Sequence, residues 1–129
     1  MTRSLEWQRE HPEAVREHRR RYYQKNKARL NAAHRSYSLR RSFGLTDEQF
    51  YNMAEIQDHR CAVCASPTPD GRGTWHVDHD HACCPGRTSC GQCIRGLLCS
   101  RCNGQVLPVI EGPLYERALR YLQRKEARV

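Results

Sequence analysis

The run His76-Val77-Asp78-His79-Asp80-His81 crowds two carboxylates and three imidazoles into six positions. After a cysteine-rich loop the chain continues Ile94-Arg95-Gly96-Leu97-Leu98-Cys99-Ser100-Arg101-Cys102-Asn103, a two-cysteine knuckle that ends in an asparagine. Cys61 and Cys64 supply another knuckle upstream. Each CxxC turn points both sulfurs inward and can bite one tetrahedral ion, so Cys61, Cys64, Cys99 and Cys102 can close around a single zinc. Four thiolates leave that ion no open position, which makes it structural. The reactive groups left at the rim are Asp78, His79 and Asn103, a set that suggests a metal-dependent nuclease. Two disulfides are the alternative for these four cysteines, and an oxidising compartment would favour them.

Four further cysteines fall between the two knuckles. Cys90 and Cys93 form a third bite, whereas the side chains of adjacent Cys83 and Cys84 diverge and make an awkward partner for it. A second zinc on this group, with a nearby histidine, and a redox-labile loop with a disulfide are both open at this point.

These groups need elements to position them. Residues 13–41 lack Gly and Pro and are rich in Arg, Glu, Ala, Gln and Lys, which predicts a helix after the start signal at Pro12. Its apolar stripe of Val15, Tyr22, Leu30, Ala33 and Tyr37 is too thin to bury a full face, so the free segment is either a solvated helix or a partly ordered arm. Beyond Gly44, Thr46 and Gln49 match a capping box, Leu45 and Phe50 a hydrophobic staple, and Phe50, Met53 and Ala54 a buried stripe. Residues 75–79 and 94–98 read as strands, with Pro85, Gly86 and Gly91 punctuating the loop between them. A short helix opens at Ser100 or Cys102 and is limited by Pro108. After Gly112 and Pro113, the spacing of Leu114, Ala118, Tyr121 and Leu122 predicts a helix that packs on the core.

Charge is distributed unevenly along the 129 residues. Residues 1–45 carry 12 Lys and Arg against 4 Asp and Glu, while residues 46–129 carry 10 of each sign, so the net +8 lies in the first third. No acidic residue separates Glu17 from Asp47, and Arg19, Arg20, Arg21, Lys25, Lys27, Arg29, Arg35, Arg40 and Arg41 fill that interval. A polyanion is the natural partner, bound with strong salt dependence through counterion release. At 38% hydrophobic and 28% charged residues the core is modest and needs a staple. The first ten residues have no apolar run of signal-peptide length, and no stretch approaches a membrane span. We therefore expect a cytoplasmic protein with no membrane partner, in which paired cysteines bind metal.

Between residues 61 and 103 the sequence resembles the recombination endonuclease VII family of phage and prophage HNH nucleases. The resemblance is carried by the knuckle Cys61-Ala62-Val63-Cys64, by Asp78-His79-Asp80-His81, and by Arg95-Gly96-Leu97-Leu98-Cys99-Ser100-Arg101-Cys102-Asn103. It implies a β-β-α metal (HNH) finger, so the expected fold is small and α+β, zinc-stapled and flanked by helices; the basic helical N-terminal arm read from the charge distribution departs from the junction-resolving members. The arm would span residues 1–43 and the nuclease domain 44–129, inside a bacterial host cell.

The resemblance also implies that Asp78 and Asn103 hold a divalent ion, Mg2+ or Mn2+, and that His79 is the general base. Donor chemistry agrees, because a carboxylate with an amide oxygen is a hard and incomplete site, and an imidazole beside it can take a proton from water at neutral pH. Cleaved DNA would carry 5' phosphate and 3' hydroxyl ends. Strand parity would put Asp78 and His79 on opposite faces, so the strand must end there for both to meet one phosphate. Asp80, His81, Arg95 and His76 are candidates for supporting or phosphate-contacting roles. The chain lacks the long helical extension that junction-resolving members carry after the finger, so nicking or general cleavage of duplex DNA is the first expectation. A structure-selective junction resolvase, a nuclease acting on RNA, and a non-catalytic zinc-stapled DNA-binding module remain the competing expectations. DNA, whether duplex, nicked or branched, is the expected partner, and the thin stripe of the first helix could pair two chains as a homodimer.

Overall fold

The computed structural model describes residues 4–124; residues 1–3 and 125–129 lie outside the described part. The chain divides into two compact units, residues 1–38 and residues 39–129.

In the first unit, α1 (Leu5–Glu10) is capped by Ser4, whose Oγ accepts from the Trp7 N–H at 3.3 Å. Helix α2 (Pro12–Phe43) starts on Pro12, whose fixed φ suits a first turn, and runs for 32 residues into the second unit. The two helices are separated at His11, which caps α1. Glu17 pairs with Arg21 at 2.8 Å and with Arg20 at 3.3 Å, and Glu13 pairs with Arg16. Such surface pairs contribute only about 0.3–0.5 kcal/mol each, so the helix owes more to propensity. Tyr22 and Tyr37 of the thin stripe are exposed.

The second unit is built around a two-stranded sheet. Strands β1 (His76–His79) and β2 (Ile94–Leu98) pair antiparallel, with Val77 opposite Leu97 and Asp78 opposite Gly96. Trp75, expected within the first strand, precedes it and packs half-buried between two apolar clusters. Neighbouring strand residues serve these two clusters. Leu97 joins Leu39, Leu45, Phe50, Ala54 and Val77, whereas Leu98 joins Cys61, Cys99 and Cys102. The alternation of strand side chains thus ties a helical core on one face to the cysteine knuckles on the other.

Helix α3 (Asp47–Ile56) carries the expected capping box: the Gln49 N–H donates to Thr46 Oγ1 at 3.1 Å and the Thr46 N–H donates to Gln49 Oε1 at 2.9 Å. Leu45, Phe50 and Ala54 are buried as the staple and stripe require, with Met53 packed beside them. Just past its end, Gln57 works as a surrogate strand. Its Oε1 accepts from the Leu97 N–H at 2.8 Å and its Nε2 donates to the Leu97 carbonyl at 2.9 Å. That close approach explains Gly96, where a Cβ would lie 2.9 Å from Gln57 Oε1.

Two expectations fail beyond the second knuckle. Pro108 does not end the helix: a π-helical turn over Cys102–Val106 leads into α4 (Leu107–Ile110). The Leu107 N–H reaches back to the Cys102 carbonyl, and this widened turn just ahead of Pro108 accommodates a ring that a regular helix interior rejects. Helix α5 (Pro113–Leu122) forms after Gly112 as expected, but Leu114, Tyr121 and Leu122 are 62, 68 and 75% exposed. Helical spacing says which side chains share a face, not what covers that face, and the two small clusters are already closed without it.

Candidate functional site

The first cysteine group converges as its spacing requires. The sulfurs of Cys61, Cys64, Cys99 and Cys102 lie within 4.8 Å of one another, and Cys64 Sγ is 3.7 Å from Cys99 Sγ. A tetrahedral ZnS4 centre with bonds near 2.3 Å has sulfur–sulfur edges of about 3.8 Å, so the four can hold zinc. The knuckle turn of Cys61 is closed by its N–H donating to Ser66 O at 2.9 Å and by the Ala65 N–H donating to Cys61 O at 2.9 Å. The Ala62 N–H then donates to Leu97 O at 3.1 Å, which docks the turn on β2. Burial pushes the Cys61 thiol up, but hydrogen bonds from the backbones of Cys64, Cys99 and Val63 outweigh it and bring it down to about 6. Burial likewise pushes Cys99 and Cys102 up, and there it prevails. Sulfurs this close cannot all ionise without a cation between them.

The second group also converges, against the divergence expected of adjacent cysteines. Cys83, Cys84, Cys90 and Cys93 lie within 4.8 Å of one another. The reason lies in Asp80, whose carbonyl accepts from the N–H groups of both Cys83 (3.2 Å) and Cys84 (2.9 Å). The backbone there turns as in a helix, so neighbouring side chains no longer point to opposite sides as in a strand. Both groups can therefore hold zinc, and all eight thiols are free.

Strand β1 ends at His79, and a bulge in β2 lies opposite that end. Asp78 faces Gly96 but His79 faces Ile94, which leaves Arg95 as the extra residue. A bulge re-aims a side chain. In an unbroken ladder Arg95 would share the side of His79; instead its Nε donates to Asp78 Oδ2 at 2.7 Å and its Nη2 to Asp78 Oδ1 at 3.2 Å. Asp78 is 7% exposed, and the two-pronged bond fixes its carboxylate plane. Arg95 also pairs with Glu111 at 2.7 Å, and the hydrogen bonds it donates to Asp78 first and Glu111 second push its pKa up and keep it charged.

His79 is 4% exposed and its Nε2 lies 3.0 Å from the Cys84 carbonyl and 3.2 Å from the Gly86 carbonyl. Carbonyl oxygens only accept, so Nε2 carries the proton and Nδ1 of the neutral ring is left with a lone pair. Phe43 lies 6.2 Å away and His81 packs edge-on at 4.8 Å. His81 Nδ1 is in turn 3.3 Å from Glu111 Oε2. Asp78, Arg95, Glu111, His81 and His79 thus form a continuous chain of contacts.

The other residues singled out in the sequence have separate positions. Asp80 Oδ1 accepts from the Ala82 N–H at 2.8 Å, which closes the turn under Cys83 and Cys84. His76 opens β1, half-buried and opposite Leu98. Asn103 follows Cys102 in the π-helical turn, half-buried, with its N–H donating to Cys99 O at 3.0 Å. Of the basic series, Arg19, Arg20, Arg21, Lys25, Lys27, Arg29, Arg40 and Arg41 are exposed and Arg35 is half-buried. Sequence reasoning missed Glu111 and Gln57. Neither belongs to a spaced motif, and the residues they hold, Leu97 for Gln57 and Arg95 and His81 for Glu111, lie far away along the chain.

A family model of recombination endonuclease VII matches residues 36–124. The chain belongs to the recombination endonuclease VII family. This family member is 33% identical over 90 residues to the Gene 59 protein of Mycobacterium phage D29, an alignment covering 67% of the chain and 48% of that relative. It thus spans about half the length of the curated relative it matches. No solved structure matches it. The family match starts at residue 36, so most of the basic series, from Arg19 to Arg35, lies ahead of it. Among the described residues of this endonuclease VII relative, no helix is long and apolar enough to cross a membrane.

Proposed function

We propose that the chain is an HNH-type DNA endonuclease that hydrolyses phosphodiester bonds, with His79 as general base. The observation that carries this reading is the pair of carbonyls on His79 Nε2, which leaves Nδ1 as the proton acceptor on the residue that follows the buried Asp78. Zinc on Cys61, Cys64, Cys99 and Cys102 would staple the knuckles to β2 and leave the rim for chemistry.

Asp78 and Asn103 are the residues that would hold a divalent ion, Mg2+ or Mn2+. A carboxylate oxygen has two lone pairs, so the single Arg95 bond on each oxygen of Asp78 leaves each able to bind a hard cation. When bound, the ion would polarise the scissile phosphate and stabilise the charge developing on the leaving oxygen. His79 Nδ1 takes a proton from the attacking water, whose oxygen bonds to phosphorus as the bond from phosphorus to the 3' oxygen breaks. The leaving oxygen takes a proton from solvent, giving 5' phosphate and 3' hydroxyl ends, and the imidazolium returns its proton to water. Arg95 keeps the Asp78 carboxylate in one orientation throughout. Glu111 holds Arg95 from the other side.

Duplex DNA is the proposed partner, with the exposed Arg and Lys of α2 lying along phosphates. Purified protein with supercoiled plasmid and Mg2+ should give nicked circles, and His79→Ala should lower the rate by 100-fold or more, ~10²–10⁴ being typical of a general base, while zinc content and DNA affinity persist. Equal nicking by the variant would remove His79 from the mechanism. Running the assay with linear duplex, single strand, four-way junction and RNA side by side decides the substrate class. Removing residues 1–38 should weaken binding and flatten its salt dependence.

A further inference from the structure

We propose that Cys83, Cys84, Cys90 and Cys93 bind a second zinc ion, and that this ion holds the Cys84 and Gly86 carbonyls against Nε2 of His79. The second half of this inference rests on the nuclease reading; the first half stands on the cysteines alone.

The geometry is that of a ligand cage. Cys83–Cys90, Cys83–Cys84 and Cys90–Cys93 each have a sulfur–sulfur distance of 3.9 Å. That matches the edge of about 3.8 Å in a ZnS4 tetrahedron and is nearly twice the roughly 2.05 Å of a disulfide. One backbone-to-sulfur contact repeats that of the first group. There the Cys102 N–H donates to Cys99 Sγ at 3.4 Å; here the Cys90 N–H donates to Cys84 Sγ at 3.3 Å. The Ser89 hydroxyl adds a contact to Cys93 Sγ at 3.2 Å. Donors of this kind offset thiolate charge and orient metal ligands.

The loop also needs such an ion. Residues 82, 83 and 85–88 are exposed, and no buried side chain lies between Asp80 and Cys93. Three anchors exist without metal. The Asp80 turn fixes residues 80–84, the Asp80 N–H donates to Cys93 O at 2.9 Å, and the Ser89 N–H donates to Ser42 O at 2.7 Å while Gly91 packs against Gly44. None of them holds residues 85–88, and residues 84 and 86 carry the carbonyls that orient His79. A zinc joining Cys83 and Cys84 to Cys90 and Cys93 closes the base of that segment. The cysteines are then positioning residues that act through two backbone oxygens.

The test uses the full-length protein. Elemental analysis and native mass spectrometry should find two zinc ions per chain, and cobalt substitution should give tetrathiolate bands equivalent to two sites. Cys90→Ser and, independently, Cys83→Ser should each retain one ion and a normal far-ultraviolet circular dichroism spectrum. In both variants the long-range ¹⁵N spectrum of the His79 ring should change from a single Nε2-protonated tautomer to a mixture. The turnover number for nicking should fall by about tenfold or more with DNA affinity unchanged, as for other residues that orient a ligand or base from outside the site. One zinc in the wild-type protein overturns the proposal, as does an unchanged His79 spectrum once the second ion is lost. If the variants fail to fold, the wild-type zinc count and cobalt spectrum decide. A wild-type protein that binds two zinc ions but does not nick DNA would defeat the nuclease reading and leave the second site standing.

Discussion

The two cysteine groups have the same number of ligands and similar sulfur spacing, yet they occupy opposite kinds of environment. In the first, Cys61, Cys99 and Cys102 are 3, 1 and 1% exposed and share an apolar cluster with Leu98. In the second, Cys83 and Cys90 are exposed and Cys84 and Cys93 half-buried, in a loop with no buried side chain. The thiols reflect this difference. Burial governs Cys99 and Cys102, whereas Cys83 is pushed up to about 12 by hydrogen bonds with Cys93, Cys84 and Cys90, and a backbone bond from Gln92 leads those that bring Cys90 down to about 7. One group is part of the core; the other lies in a surface segment.

Removing a ligand from each group should expose the contrast most sharply. Cys102→Ala deprives the buried group of a sulfur and the core of a packed side chain. Apparent zinc-binding energies of roughly 10–16 kcal/mol exceed or equal the 5–15 kcal/mol stability of a typical domain, so residues 39–129 should unfold. Loss of the cooperative thermal transition by circular dichroism is the readout, and a melting temperature near wild type would show that this group is not the staple. The Cys90→Ser melt, run in parallel, should lie within about 5 °C of wild type.

Gln57→Ala sharpens the picture of how the buried group is joined to the sheet. It leaves the Leu97 N–H without its partner and removes one of two donors to the Leu97 carbonyl, which should cost ~1–3 kcal/mol in denaturant unfolding. An effect under about 0.5 kcal/mol, the range of neutral surface changes, would mean that water substitutes fully for the amide. The smallest effect is expected at Asp80. Asp80→Ala loses the Ala82 bond and should cost about 1 kcal/mol, while Asp80→Asn keeps an acceptor oxygen and should cost less than half of that. Equal losses in the two variants would indicate that the charge of Asp80, not its turn geometry, matters.

What the sequence revealed divides along the same line. Each CxxC pair and the Thr46–Gln49 box are local patterns, in which a residue's partner lies three positions away, and the strands show in their own residue types; all are present. The convergence of Cys83 with Cys84 was not visible, because it depends on the backbone turn at Asp80 and not on residue type. The bulge at Arg95 is equally silent in the sequence. Parity alone sets Asp78 and Arg95 on different faces, and only the slipped register brings them together. Gln57 and Glu111 act on residues distant in the chain, and α5 shows an amphipathic pattern whose apolar face stays exposed.

In the proposed nuclease, Asp78 and Asn103 at the rim of the zinc-stapled finger hold one hard cation near His79. Anomalous diffraction from crystals soaked in Mn2+ tests it directly. One peak is expected within about 2.3 Å of both an Asp78 carboxylate oxygen and the Asn103 side-chain oxygen, absent in Asp78→Ala crystals. A Mn2+ peak bound elsewhere, or no peak at Asp78 in a protein that cleaves DNA with Mn2+, would contradict it.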